Sequence, residues 1–274
     1  RFRNVTGVQT CALPIFYNVA EKDGLTIGVF NRYTVPAPIV GNAQAQFKPD
    51  NFTWLGTTAS FSDDAYILVI RTSAKAKNVD DLRAANPQIV IGNAGTSLTP
   101  IVNSALNLNL KIVEGYEKDA LDLAVERNEV EGESLGYLAM LQRKKDWVEK
   151  NLVRPVLQFG RNTRLPALSD VPTARELVKT PDAKALLLLA ETPLTIAYPF
   201  ALPPGVPADR VAIMRKAFTD MFASPEVKED FDKRKVEFSP KSGDELAAII
   251  AEIAKTPKPV IEQYNKLAGD GAGG

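Results

Sequence analysis

Gln88–Pro100 reads QIVIGNAGTSLTP, and this stretch decides the fold class. Ile89, Val90 and Ile91 form a short apolar run rich in β-branched residues, which predicts a buried strand over Gln88–Gly92. Small residues follow. Thr99-Pro100 then offers a cap and a first-turn proline for a helix running to about Leu108. A strand that turns on small residues into a helix is the basic βα unit.

The same alternation extends in both directions. Strands are expected at Leu25–Phe30, Phe52–Ser60 and Tyr66–Arg71, the last apolar enough to be buried on both faces. Asn78 can cap a helix from Val79, with Asp81 in its first turn. Leu110–Val113 reads as a strand, Ala120–Arg127 as a helix burying Leu121, Ala124 and Val125, and Val130–Glu133 and Val153–Phe159 as strands. A strand over Thr195–Leu202 is stopped by Pro203-Pro204-Gly205. Val211, Met214, Phe218 and Met221 then share a helical face. Ser224-Pro225 starts another helix, and Ser242 with Glu245 fits a capping box ahead of Leu246, Ile249, Ile250 and Ile253. The whole predicts an α/β fold with mostly parallel sheets. No composition break marks a linker between domains.

The chain has 33 basic and 33 acidic residues, no histidine and one cysteine, Cys11. Without a basic stripe, nucleic acid is not expected as a partner. Without histidine, the Ser-His-Asp and Cys-His systems and histidine-ligated metals are excluded; no cofactor is expected. Gly132-Glu133-Ser134-Leu135-Gly136 matches G-x-S-x-G, but that serine needs a histidine base, so a strand end opening toward a cleft is the better reading. No apolar run reaches the roughly 18 residues of a membrane span.

Gly95, Thr96 and Ser97 stand where a helix N-terminus would point amides and a partial positive charge outward, a ready anion site with Thr and Ser hydroxyls as extra donors. An ordinary capped βα turn fits the same spacing. The loop is not a P-loop, because the Gly-Lys-Ser/Thr ending is missing. Asp63-Asp64 and Asp80-Asp81 read as solvated structural acids, and Arg143-Lys144-Lys145 as a solvated helix end.

The opening segment, Arg1–Phe16, reads RFRNVTGVQTCALPIF, and Val5–Ile15 resembles a translated sequencing-library adapter. It is read as foreign and set aside from the fold; the cysteine goes with it.

Several later segments together resemble the tripartite tricarboxylate transporter substrate-binding family, the Bug-type receptors. Asp23-Gly24-Leu25-Thr26-Ile27 is similar to that family's D-G-Y-T-L strand entry. Gly115-Tyr116 and Leu123–Gly132 (LAVERNEVEG) resemble its G-Y…L-A-x-E-R-G-E-V-D-G, with Asn128 for Gly and Glu131 for Asp. Leu168–Thr173 (LSDVPT) resembles L-P-D-V-P-T, with Ser169 for Pro. Pro199–Pro207 (PFALPPGVP) resembles the return strand and its P-P-G-x-P turn. The likeness runs from about Tyr17 to Leu267.

The resemblance implies a type II periplasmic-binding-protein fold, two lobes around a ligand cleft, with the first βα unit missing. One lobe would be residues 17–71 with 198–274, the other 72–197, and residues 1–16 would be the foreign scar. It implies an extracytoplasmic, periplasmic receptor that captures a small carboxylate for a membrane transporter permease, acting as a monomer and not as an enzyme. Such receptors hold the carboxylate with backbone amides and ordered waters. Gly95, Thr96 and Ser97 would be contacts, with Glu133 and Ser134 beside them and Asn31 and Arg32 facing from the other lobe. With a strand and ligand loop replaced by foreign residues, this chain is expected to bind poorly or fold incompletely. A cytoplasmic effector-binding sensor domain and an enzyme using carboxylates or lysine on the same fold are the alternatives.

Overall fold

A computed structural model describes residues 9–61, 64–234 and 236–269. In chain order the elements are α1 Gln9–Asn18, β1 Gly28–Val29, β2 Thr53–Thr57, β3 Tyr66–Arg71, α2 Val79–Ala84, β4 Ile89–Gly92, α3 Leu98–Ala105 and β5 Leu110–Val113. Then come α4 Lys118–Glu126, β6 Gly132–Gly136, α5 Tyr137–Arg143, α6 Lys145–Glu149, β7 Val153–Phe159, α7 Ala174–Leu177 and α8 Pro181–Thr195. The chain closes with β8 Pro199–Leu202, α9 Ala208–Ala223, α10 Pro225–Arg234, β9 Lys241–Ser242, α11 Gly243–Ile253 and α12 Lys258–Ala268. No helix among the described residues is long and apolar enough to cross a membrane.

The chain divides into two compact units. The first takes the described residues up to Phe61 together with Thr192–Thr256. Its four-stranded sheet, in the order β1-β8-β2-β9, is antiparallel throughout. Phe16, Phe30, Phe47, Phe52 and Trp54 gather on one side of it with Leu246 and Ile250 of α11. Leu55, Leu202 and Phe218 fill the other side. The Ser242–Glu245 capping box forms as the sequence predicts. Residues Arg1–Phe16, read from the sequence as foreign, reach the described part at Gln9, and Leu13 and Phe16 are buried in the aromatic cluster. The Cys11 side chain and residues before Gln9 lie outside the described residues.

The second unit takes Asp64–Glu191 and the chain from Pro257 onward. Its sheet has the order β5-β4-β6-β3-β7. β4 is parallel to β5 and β6, whereas β3 is antiparallel to β6 and β7. The expected mostly parallel sheets are therefore corrected to one mixed and one antiparallel sheet. Parallel neighbours need crossover helices, and only α3 and α4 serve that purpose here. Ile67, Leu68, Val69 and Ile70 of β3 are all at most 1% exposed, so β3 is buried on both faces as its sequence predicts. The Asn78 cap also forms, its Oδ1 accepting the Asp81 amide.

Other boundaries move. The strand expected at Leu25–Phe30 keeps only two paired residues, and the one expected at Val130–Glu133 runs instead over Gly132–Gly136. The strand expected from Thr195 begins at Pro199, because α8 occupies Pro181–Thr195. The division at residues 63/64 differs from the one drawn from sequence at Arg71, since β3 hydrogen-bonds only to β6 and β7. Likewise α12, drawn with the first lobe, packs on α3 in the second unit.

Candidate ligand-binding site

β4 delivers the chain into Asn93–Ser97 at the start of α3. Gly95 has φ +73°, a left-handed conformation costly for any residue with a Cβ. Nothing lies within 4 Å of where its Cβ would stand, so the loop is open at that point. Asn93, buried beneath, staples the loop: its Nδ2 donates to the Thr96 carbonyl at 2.7 Å and to Glu114 Oε2 at 2.8 Å. Thr96 Oγ1 donates to Asn93 Oδ1 at 2.9 Å. The Thr96 proton is thus committed inside the loop, which corrects its expected role as a hydroxyl donor to an anion.

Ser97 is the N-cap residue of α3, yet its side chain caps no amide. The reason is local. A capping residue takes an extended backbone, whereas Ser97 is helical at φ −72°, ψ −12°, and Pro100, three residues on, has no amide to offer. α3 also starts two residues earlier than expected, so Thr99 lies in the first turn instead of capping it. First-turn amides have no acceptor within a helix, so those of Leu98 and Thr99 depend on partners outside α3. Ser97 Oγ stands 3.3 Å from the Tyr264 hydroxyl of α12, and Thr99 Oγ1 stands 3.1 Å from Ser134 Oγ of β6. In each of these hydroxyl pairs either oxygen can be the donor.

Glu133 and Ser134 part company here. Successive residues of a strand face opposite sides, so Ser134 joins the α3 face and Glu133 the α4 face. Glu133 is fully buried and pairs with Lys118, while Lys144 lies 3.9 Å from its other oxygen. Asp122 pairs with both lysines, at 2.9 Å for Lys118. Burial pushes the Glu133 carboxyl up to about 7, against the downward pull of Lys118. Glu133 is therefore a buried ion-pair residue held by Lys118 and Lys144 and is not brought to the loop. The same cluster corrects the reading of Lys144 as solvated: its side chain is 11% exposed and its ammonium lies 4.2 Å from the Trp147 ring centroid.

Asn31 and Arg32 belong to the first unit. Asn31 Oδ1 accepts the Tyr33 amide at 2.9 Å, a local turn, and the Arg32 guanidinium stacks 5.3 Å from the Tyr33 ring centroid. Asp64, read as solvated, is 5% exposed; its Oδ1 accepts the amides of Ala65 and Leu138 at the start of α5. Its partner Asp63 lies outside the described residues. Asp80 stays exposed and pairs with Arg83, as a helix N-terminal acid should.

Tyr264, Asn93 and Glu114 were not singled out from sequence as site residues. Val260 and Tyr264, four apart after Pro257, carry the helical spacing that marks α12.

No family model matches the chain, and no curated protein matches it. Solved structures do. A TctC solute-binding protein from Polaromonas aligns with TM-score 0.72 at 13% identity, covering 94% of this chain and 84% of that one. An R. palustris protein with adipate aligns with TM-score 0.54 at 19% identity, covering 95% and 83%. MatC from Rhodopseudomonas palustris with bound malate aligns with TM-score 0.54 at 16% identity, covering 96% and 85%. From β1 to α12, this chain has the fold of the tripartite-transporter solute-binding proteins.

Proposed function

We propose that the protein is an extracytoplasmic solute-binding protein that captures a small carboxylate for a membrane transporter of the tripartite tricarboxylate type. The observation that carries this reading is the start of α3. First-turn amides without intrahelical acceptors, an uncapped Ser97 and two hydroxyl pairs converge beside an open Gly95. Such a set donates hydrogen bonds to an anion and adds the helix's partial positive charge. The likeness of fold to proteins solved with adipate and with malate supports the same ligand class.

The protein acts by binding and not by catalysis. The carboxyl that burial pushes up to about 7, Glu133, lies in a core of lysine ion pairs on the face opposite the loop. Gly95, Ser97 and Ser134 are the ligand contacts in this reading, with Thr96 contributing backbone only.

Thermal unfolding in the presence of a panel of carboxylates, including adipate and malate, tests the reading. A ligand at about 100 to 1,000 times its dissociation constant stabilises by roughly 3–4 kcal/mol, a plain upward shift in melting temperature. A panel with no shift for any member, carried into the millimolar range, overturns it.

A further inference from the structure

We propose that Lys118 is a proton-released latch: its ammonium, paired with the Glu133 carboxylate, ties the start of α4 to β6, and uptake of a proton by Glu133 lets it go. The latch lies on the α4 face of the sheet and works without a ligand at the α3 loop.

α4 begins without a side-chain cap, since Glu117 stands at the N-cap position and its carboxyl accepts no amide. Just before it Glu114, Gly115 and Glu117 are exposed, and Gly115 takes φ +89° with nothing within 4 Å of where its Cβ would stand. Polar anchors sit at the two ends of this segment. Asn93 Nδ2 donates to Glu114 Oε2 at 2.8 Å, and Lys118, the first residue of α4, reaches Glu133.

Among the described residues, the charged groups facing Glu133 are Lys118 and Asp122 on α4 and Lys144 at the end of α5; Val69, opposite it on β3, is apolar. With both carboxyls ionised, the two ammoniums are balanced. Glu133 is nevertheless short of donors. It is fully buried, and its Oε1 accepts no hydrogen bond among the described residues, the Lys144 ammonium standing 3.9 Å away. A buried carboxylate in that position favours its neutral form, with Oε1 open to the proton.

A proton on Glu133 leaves two ammoniums facing one carboxylate, Asp122. Lys118 keeps its own charge: burial pulls its ammonium down, but Glu133 and Asp122 together hold it above the usual range. The two lysines do not share the loss equally. Lys144 has a side chain 11% exposed, pairs with Asp122 and lies 4.2 Å from the Trp147 ring centroid. Lys118 has a side chain 48% exposed, so water can take its ammonium. Its remaining partner, Asp122, belongs to α4 itself; such i,i+4 pairs are weak, and this one cannot tie the helix to β6. Lys118 is therefore the member that leaves. The fold as a whole moves the other way, because proton uptake by a buried carboxyl stabilises the folded state against the unfolded one.

Amide hydrogen exchange of the 274-residue chain at about pH 5.5 and about pH 8.5, corrected for intrinsic exchange, reads both effects. Leu121, whose amide donates to the Glu117 carbonyl at 2.9 Å, and Asp122 report the start of α4; Ile67–Ile70 of β3 report the core. Protection at Leu121 and Asp122 is expected to fall about tenfold at the lower pH, the order of one charged hydrogen bond lost, while that of Ile67–Ile70 holds or rises. Glu133→Gln, neutral at every pH, should show the loosened start of α4 at both. Protection at Leu121 and Asp122 that does not fall overturns the proposal, and so does a fall that persists in Glu133→Gln or is matched on β3. If Glu133→Gln fails to fold, Lys118→Met, at a half-exposed position, replaces it. The start of α4 should then be loose at both pH values, and a surviving pH step overturns the proposal.

Discussion

Glu133 and Ser134 are neighbours in the chain and face opposite sides of the sheet. The strand's two-residue period sends Ser134 toward Thr99 and Glu133 into the lysine cluster on the α4 side. Glu133 carries a measurable consequence. Its carboxyl titrates at about 7 when folded, against 4.5 ordinarily, because burial disfavours the charged form. Between those values the folded state keeps a proton that the unfolded state releases. The stabilising contribution is therefore complete below about pH 4.5 and is lost as pH rises through about 7. Lys118, Lys144 and Asp122 surround it, and Asp122 stays ionised: burial pushes its carboxyl up, but hydrogen bonds from Lys144 and Lys118 hold it below its usual range. Glu133→Gln should flatten the fall in urea midpoint across this window. An unchanged pH slope in the variant would show that Glu133 is not the titrating group.

At the scale of elements, α1 poses the sharpest question. Phe16 lies 5.4 Å from Phe30 and 5.8 Å from Phe52, ring centre to ring centre, inside the first unit's aromatic cluster. Phe16→Ala should cost about 3–5 kcal/mol in chemical denaturation, as buried aromatic truncations do. A cost below about 1 kcal/mol would detach α1 from the core, the behaviour a foreign opening segment requires.

Elements with local signals were legible in the sequence. Asn78, Ser242 and the apolar run of β3 carry their own caps or burial pattern, and all three stand where expected. α8 was missed because Leu186–Leu189 are four consecutive leucines, which show no helical period, and Thr195-Ile196 then mimic a strand. Ending the strand at Glu133 instead of carrying it to Gly136 concealed which face each neighbour would take. The loop that leads into α3 is legible because glycine, hydroxyls and proline are punctuation. Tyr264 was not, since a contact across more than 160 residues leaves no local trace.

At the scale of the whole molecule, the two units are woven from one chain that passes between them around residue 63, at 191/192 and at 256/257. No glycine- or proline-rich linker marks these passages, which is why the sequence showed no boundary. Hydrogen exchange with saturating carboxylate should slow most at the amides of Asn93–Thr99 and the first turn of α3. Protection confined to the stretch around Asn31 and Arg32 would move the binding site off the α3 loop.

The weave also sets a timetable. Among the described residues, β1 pairs only with β8, and β2 only with β8 and β9. A ribosome adding roughly 5–20 residues per second therefore releases both early strands on the order of ten seconds before Pro199 arrives. Through that interval the nascent chain carries unpaired strand edges next to its most aromatic segment, including Phe47, Phe52 and Trp54. The first unit's sheet therefore cannot close until β8 emerges.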